Sequence, residues 1–451
     1  MAAPRSYHHR RRCARALIIA AAVGRAQAQV GSWQTLAGYE TSTDVGPHSM
    51  IDLDMEELET NVKLLTDAGF AEAIRIYTNG GGGFCSQADV DDPDLNQCTA
   101  VGDPKGNSVK GSGAIRTIQG FATAGEAKMM GWTTYPIYYA YWNDYNYADT
   151  LITKDYSATV KPSGWNQLIK KGANYQAVWM YVLHELEDAI GDCYAGDIYG
   201  DDCAPDGTAG PCGGAPHAWD EGWAFYAGSM VGTTTANAVM DDGTLIWELA
   251  EKRGSDFNTQ HSTGPATVNV NLLAEFIAGR DLIINAKCTE AEPIIDNIIT
   301  QMSIPLIQGT LKYAYSSDPA SGSYCASDAG KTAMSASDDC VKAWAEGWTF
   351  ASAVLPQIDA CSAAHAKTVK DALDGAAAAP MAGGLAAVKA AVEACYPSMG
   401  ITCDEVGEYQ SSGVVFSGMA KCTDPVASSD SASAPALALG AAAAAAGALL
   451  L

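Results

Sequence analysis

Residues 177–190 read AVWMYVLHELEDAI. Apolar and aromatic side chains run unbroken up to His184, so a helix here has no face for water and belongs in the middle of a fold. Charged groups at that depth must be paired or bound to a cation. Tyr181, His184, Glu187 and Asp188 fall at i, i+3, i+6 and i+7, which puts them on one helical face over two turns. The same period extends outward on both sides. It predicts one long helix over 165–192, another over 52–70 (DLDMEELETNVKLLTDAGF) with an acidic first turn, and further helices over 244–252, 293–315, 341–355 and 385–395. Gly-rich stretches at 80–83 and 207–214 separate them, and long alternating β patterns are missing. The predicted class is mainly α.

Two stretches resemble each other. HAWDEGWAF at 217–225 aligns with KAWAEGWTF at 342–350, with Leu183-His184 upstream of the first and Leu311-Lys312 upstream of the second. Downstream, Leu249-Ala250-Glu251 answers Ala391-Val392-Glu393. This predicts two tandem pseudo-repeated, disulfide-stabilised helical lobes at 46–258 and 262–422, after an N-terminal segment at 29–45. What both halves keep is expected to be structural: Trp219/Trp344, Glu221/Glu346, Gly222/Gly347 and Trp223/Trp348. His184 and His217 fall opposite Lys312 and Lys342, and Asp220 opposite Ala345. The second lobe therefore reads as a degenerate copy of a cation site, in which lysine supplies the lost charge.

On the helix after the first, His217, Asp220 and Glu221 sit at i, i+3 and i+4, again on one face. Facing helices that each present His plus carboxylate build metal sites in bundle cores. The candidate metal ligands are His184, Glu187, Asp188, His217, Asp220 and Glu221, with Tyr181 nearby, a set that suits a hard cation such as Fe(III). Blander readings stand beside this. Asp220 and Glu221 also suit the first turn of a helix begun by Pro216. Glu221 is the weakest member, since its counterpart survives in the second half. His184 could be a hydrogen-bonded core histidine, and Tyr181 reads as core rather than ligand. His48, His261 and His365 stand alone and read as surface. The run YPIYYAYWNDYNY at 135–147 reads as packing between helices, and GNSVKGSG at 106–113 lacks a P-loop ending and reads as a turn.

An enzyme reading also exists. HELED at 184–188 is HExxD, one residue from the zinc peptidase HExxH; His184, Asp188 and Glu221 would bind zinc and Glu185 would act as base. The missing second histidine counts against it, as does a second lobe that a protease does not need. A plain acidic surface protein with no specific ligand is the third reading.

The chain has 451 residues, 48% hydrophobic and 18% charged, with Lys+Arg 27 against Asp+Glu 52 and a net charge of -25. That balance excludes a nucleic-acid binder and electrostatic docking on anionic lipid. Residues 1–28 read as a secretory signal peptide, with Arg5, Arg10, Arg11, Arg12 and Arg15 before an apolar run and Ala26-Gln27-Ala28 at the cleavage point. Residues 423–451 read as a polar linker and a hydrophobic tail with no basic stop, a GPI-type signal that would tie the protein to the cell membrane. Of 13 cysteines, Cys13 leaves with the leader, and the remaining twelve suit disulfides outside the cell. Local pairs such as Cys85–Cys98, and Cys193 with Cys203 or Cys212, are expected.

Ile51-Asp-Leu-Asp54, the segment Ala71 to Tyr77, Gly106-Asn107-Ser108, Leu183 to Leu186 and His217 to Gly222 together resemble the algal low-iron-inducible periplasmic proteins. This iron-assimilation group includes the phytotransferrins of marine phytoplankton, and the resemblance covers about residues 46–422. It implies a surface or periplasmic protein that concentrates ferric iron for uptake, with carbonate as a synergistic anion and a partner that receives the iron. Arg75 and Arg116 are the candidates to hold such a carbonate. No turnover is implied.

Overall fold

In the computed structural model, residues 35–80, 116–198, 213–229, 244–321, 323–374, 381 and 383–424 are described, and they are mainly helical. The longer helices are α1 (Ile51–Val62), α2 (Asp67–Asn79), α3 (Pro162–Gly172), α4 (Trp179–Ala195), α5 (Gly214–Ala227) and α6 (Leu245–Asp256). They continue as α7 (Thr267–Ile284), α8 (Cys288–Ser317), α9 (Asp338–Cys361), α10 (Ala363–Leu373) and α11 (Gly384–Glu393). Sheet among the described residues is limited to two antiparallel ribbons: β1 (Thr35–Leu36) with β2 (Tyr39–Glu40), and β3 (Gln410–Ser411) with β4 (Val414–Val415).

Two of the expected helices divide, each for a local reason. The stretch 52–70 turns after Val62 because Thr66 leaves the helical conformation and its side chain caps the backbone N–H of Gly69, starting α2. The stretch 165–192 runs through a π-helical turn, Ala173–Val178, which joins α3 to α4. Helix α4 ends at Gly196, whose φ of 84° only glycine adopts without strain, with its N–H on the carbonyls of Asp192 and Cys193. Ser337 and Ser362 cap the starts of α9 and α10.

Packing follows the pairs α4/α5 and α8/α9, with α3 also against α9 and α7 against α8. Trp219 on α5 donates its indole N–H to the Phe276 carbonyl of α7, and Trp344 on α9 donates to the Leu373 carbonyl of α10. Both tryptophans of the repeated motif thus tie their helix to a neighbour. Trp223 reaches the Leu36 carbonyl in β1, and Trp179 the Met302 carbonyl in α8. Residues Gln29–Thr423 form one compact unit.

Four disulfides occur among the described residues: Cys193–Cys288, Cys325–Cys340, Cys361–Cys395 and Cys403–Cys422. The first corrects the expected pairing of Cys193 with Cys203 or Cys212. Cys193 lies on the last turn of α4, against the start of α8, and the bridge ties those two helices across 95 residues of chain. No described helix is long and apolar enough to cross a membrane. The signal peptide, the hydrophobic tail, Cys85–Cys98 and the 106–113 turn lie outside the described residues.

Candidate metal centre

Helices α4 and α5 lie side by side, and polar side chains from them and from the short turn Gly46–Ser49 gather into two triads. In the first, His48, His217 and Glu221 bring their ligand atoms within 4.8 Å of one another. The Nε2 atoms of His48 and His217 both approach the same Glu221 oxygen, Oε1, at 3.1 and 3.0 Å. Burial raises the Glu221 carboxyl, but the hydrogen bonds from His217 and His48 outweigh it and hold the group ionised, well below the usual carboxylate range. Burial alone would lower His217; the Glu221 contact reverses that and holds it above its ordinary value.

The orientation of His217 is set from behind. Its Nδ1 lies 3.1 Å from Thr43 Oγ1, and that hydroxyl donates to Asp220 Oδ2 at 2.9 Å. The hydroxyl hydrogen is thereby committed, so Nδ1 carries the proton and donates to Thr43. That leaves Nε2 as the atom a metal would take, the usual arrangement behind a ligating histidine. In the second triad, His184, Glu185 and Asp188 on α4 also bring ligand atoms within 4.8 Å. His184 is 3% exposed, and neither ring nitrogen has a hydrogen-bond partner among the described residues. Burial first, then the Lys128 charge, pushes its pKa down to about 4, so the ring is neutral with a lone pair available.

The sequence profile of the low iron-inducible periplasmic protein family matches residues 12–429, nearly the whole chain. The chain belongs to that family. Comparison with curated proteins and with solved structures finds no match.

Within this member of the family, the expected ligands divide. His217, Glu221, His184 and Asp188 face the two triads. Asp220 does not: it is fully buried and accepts from Tyr39 Oη at 2.6 Å, the Ser42 and Thr43 N–H groups at 2.7 and 2.8 Å, and the hydroxyls of Ser42 and Thr43 at 2.8 and 2.9 Å. Its oxygens are filled, so it clamps the 39–43 loop onto α5 instead of meeting a metal. Glu187 likewise turns away, accepting from Thr134 N–H and Oγ1 at 3.2 and 2.9 Å and from Thr133 Oγ1 at 3.3 Å; burial pushes its carboxyl up to about 7. Tyr181 stacks on Phe121 and accepts from Lys128 Nζ at 3.1 Å. Burial, reinforced by Glu185 and Glu221, holds its phenol protonated.

His48 overturns the surface reading. It sits on a short helical turn, Gly46–Ser49, and packs edge-on against the His217 ring at 5.1 Å between centroids. A lone histidine after Pro47 carries no local pattern that marks it as part of a site. Glu185 joins the second triad, having been weighed only as a peptidase base. Of the two arginines, Arg75 is exposed and pairs with Glu72, whereas Arg116 is buried, and Glu221, Tyr181 and Glu185 oppose the lowering of its pKa by burial. The tyrosine-rich run packs as expected, with Tyr138 buried and donating to the Ala353 carbonyl of α9.

Proposed function

We propose that this protein captures ferric iron outside the cell membrane and holds it for uptake, with the ion seated between His48, His217 and Glu221. The convergence of two imidazole Nε2 atoms on one carboxylate oxygen carries the reading. Ligand atoms about 2.1 Å from a six-coordinate ion stand about 3.0 Å apart along each edge of the octahedron, which is the spacing seen here between Glu221 and each histidine. Two histidines and one carboxylate with open positions are a donor set characteristic of non-haem Fe(II), and further oxygen donors would adapt it to the harder ferric ion. The protons now shared between the imidazoles and Glu221 would leave as iron enters.

Arg116 is the residue assigned to carbonate beside the ion, since its buried guanidinium interacts electrostatically with Glu221 and Glu185. A synergistic anion there would complete the coordination sphere and balance the ferric charge. Membership of a family of low-iron-inducible periplasmic proteins supports iron capture over a zinc peptidase or an inert surface protein. The leader and the GPI-type tail read from the sequence would keep the loaded protein at the cell surface, where an iron-accepting partner could unload it.

Ferric citrate titration of the purified protein, with and without bicarbonate, tests this. Tight iron binding that needs bicarbonate, and that weakens by roughly 100-fold or more in His48→Ala and His217→Ala, is the expected result. Binding unchanged in both variants would sink the assignment.

A further inference from the structure

Helix α4 carries a second set of metal donors that the His48–His217–Glu221 site does not use. We infer that His184, Glu185 and Asp188 bind a second iron ion, so that a loaded chain carries two. His184 and Asp188 are one helical turn apart on the same face, and Glu185 adjoins them. Their ligand atoms lie within 4.8 Å of one another. The decisive observation is His184 itself, an almost fully buried imidazole with both nitrogens unpartnered among the described residues. Leaving such a polar group unsatisfied is costly, and a cation in the triad would remove that cost. Two carboxylates and one imidazole form a hard to borderline donor set, suited to iron rather than to a soft ion.

The two sites are close enough to act on each other. The Glu221 carboxylate, a ligand of the first site, interacts electrostatically with Glu185, His184 and Asp188. Glu185, Asp188 and Glu221 together concentrate negative charge there. Lys128 offsets part of that charge. It projects from a π-helical turn, Gly125–Met129, hydrogen-bonds Tyr181 Oη at 3.1 Å, and is exposed, so it can swing aside. Its ammonium would compete with a second cation for these carboxylates.

The inference rests on the proposed function only for the identity of the metal, and its test separates the two. Iron per chain is counted after equilibrium dialysis of the full protein against ferric citrate with bicarbonate. Two irons are expected in the wild type and one in His184→Ala. Asp188→Asn, a half-buried isosteric change that spares the fold, should leave one as well. Lys128→Met should tighten the weaker of the two binding steps several-fold while leaving the other unchanged, an effect that a purely structural role for α4 would not produce. Circular dichroism melts of each variant check the fold. One iron per chain, unaffected by His184→Ala and Asp188→Asn, would overturn the second site and leave the first standing. One iron lost in His184→Ala but kept in His217→Ala would support this triad and overturn the first. A single iron lost in both variants would mean one composite site, and no bound iron would overturn both readings.

Discussion

Asp220 and Glu221 are neighbours in the chain and do different work. Asp220 accepts five hydrogen bonds from Tyr39, Ser42 and Thr43, so its charge is spent on holding a loop. Glu221 is met at Oε1 by two imidazoles, which a cation would meet as well. Asp220→Ala should therefore lower folding stability by at least about 1–3 kcal/mol, because it strands buried donors, with a matching fall in the denaturant midpoint. Glu221→Gln keeps an acceptor for both histidines, so it should cost the fold less than Asp220→Ala does and still weaken iron binding. Equal stability losses in the two variants would contradict this division. The sequence could not separate them. Spacing on a helix says which residues share a face, and His217, Asp220 and Glu221 do; it does not say that the 39–43 loop will fold back onto one of them. His48 was illegible for the same reason, since it reaches the site through chain folding and not through any local period. His184 and Asp188 stood out as candidates because a nearly all-apolar helix leaves few explanations for its charged residues, and His217 because it shares a face with carboxylates; Glu221 read as the weakest candidate because its counterpart survives in the second half.

Between elements, contacts of two kinds fix how the helices meet. Glu59 on α1 pairs with Lys170 on α3 at 2.6 Å and with Lys63 one turn on at 3.1 Å. Burial raises the Glu59 carboxyl, but the two lysines overcome it and bring the pKa down to about 2; Lys170, more deeply buried, is held below its usual range despite the pair. A carboxyl with a depressed folded pKa binds fewer protons folded than unfolded, so its contribution is complete above the ordinary value of 4.5 and fades as pH falls towards 2. Glu59→Gln should flatten the acid side of the stability–pH curve in that window and leave its slope near neutrality unchanged, as chemical denaturation across pH would report. The group is partly exposed, so high salt should shrink the effect. The second kind of contact is steric. Gly279 on α7 faces the Trp219 ring so closely that a Cβ would overlap the indole. Gly279→Ala should cost about 1–3 kcal/mol through overpacking, and a thermal melt equal to wild type would refute the close approach. Helical periodicity predicted where most of these helices run. It did not predict the break at Thr66, where a side-chain cap outcompetes a continuous apolar pattern.

Across the whole molecule, the long-range ties are the features least visible in the sequence. Cys193–Cys288 spans 95 residues, and a loop of that length should contribute about 4–5 kcal/mol through the unfolded chain. A Cys193→Ser/Cys288→Ser double variant should lose a comparable amount in denaturant melts. Nearest-neighbour spacing pointed to Cys203 or Cys212 because sequence distance carries no information about which helix ends meet. The paired AxxEGWxF motifs raise a last question of scale, whether both halves handle metal. Glu346, aligned with Glu221, is buried and faces Lys171 at 3.4 Å, with Arg253 stacked over the Tyr313 and Phe350 rings close by. Lys312, aligned with His184, is paired with Asp256 at 2.9 Å. Fixed ammonium and guanidinium groups thus stand near this glutamate, where the first half presents imidazoles, and neither is a metal ligand near neutral pH. Lys312→Ala should therefore lower stability by about 1–3 kcal/mol by leaving Asp256 with less charge compensation, yet leave iron per chain and ferric affinity unchanged. Dialysis against ferric citrate compares it directly with His217→Ala. Equal iron loss in the two variants would mean that the halves share one metal site, whereas loss in His217→Ala alone would confine iron to the α4/α5 half and leave the α8/α9 half balanced by its own cations.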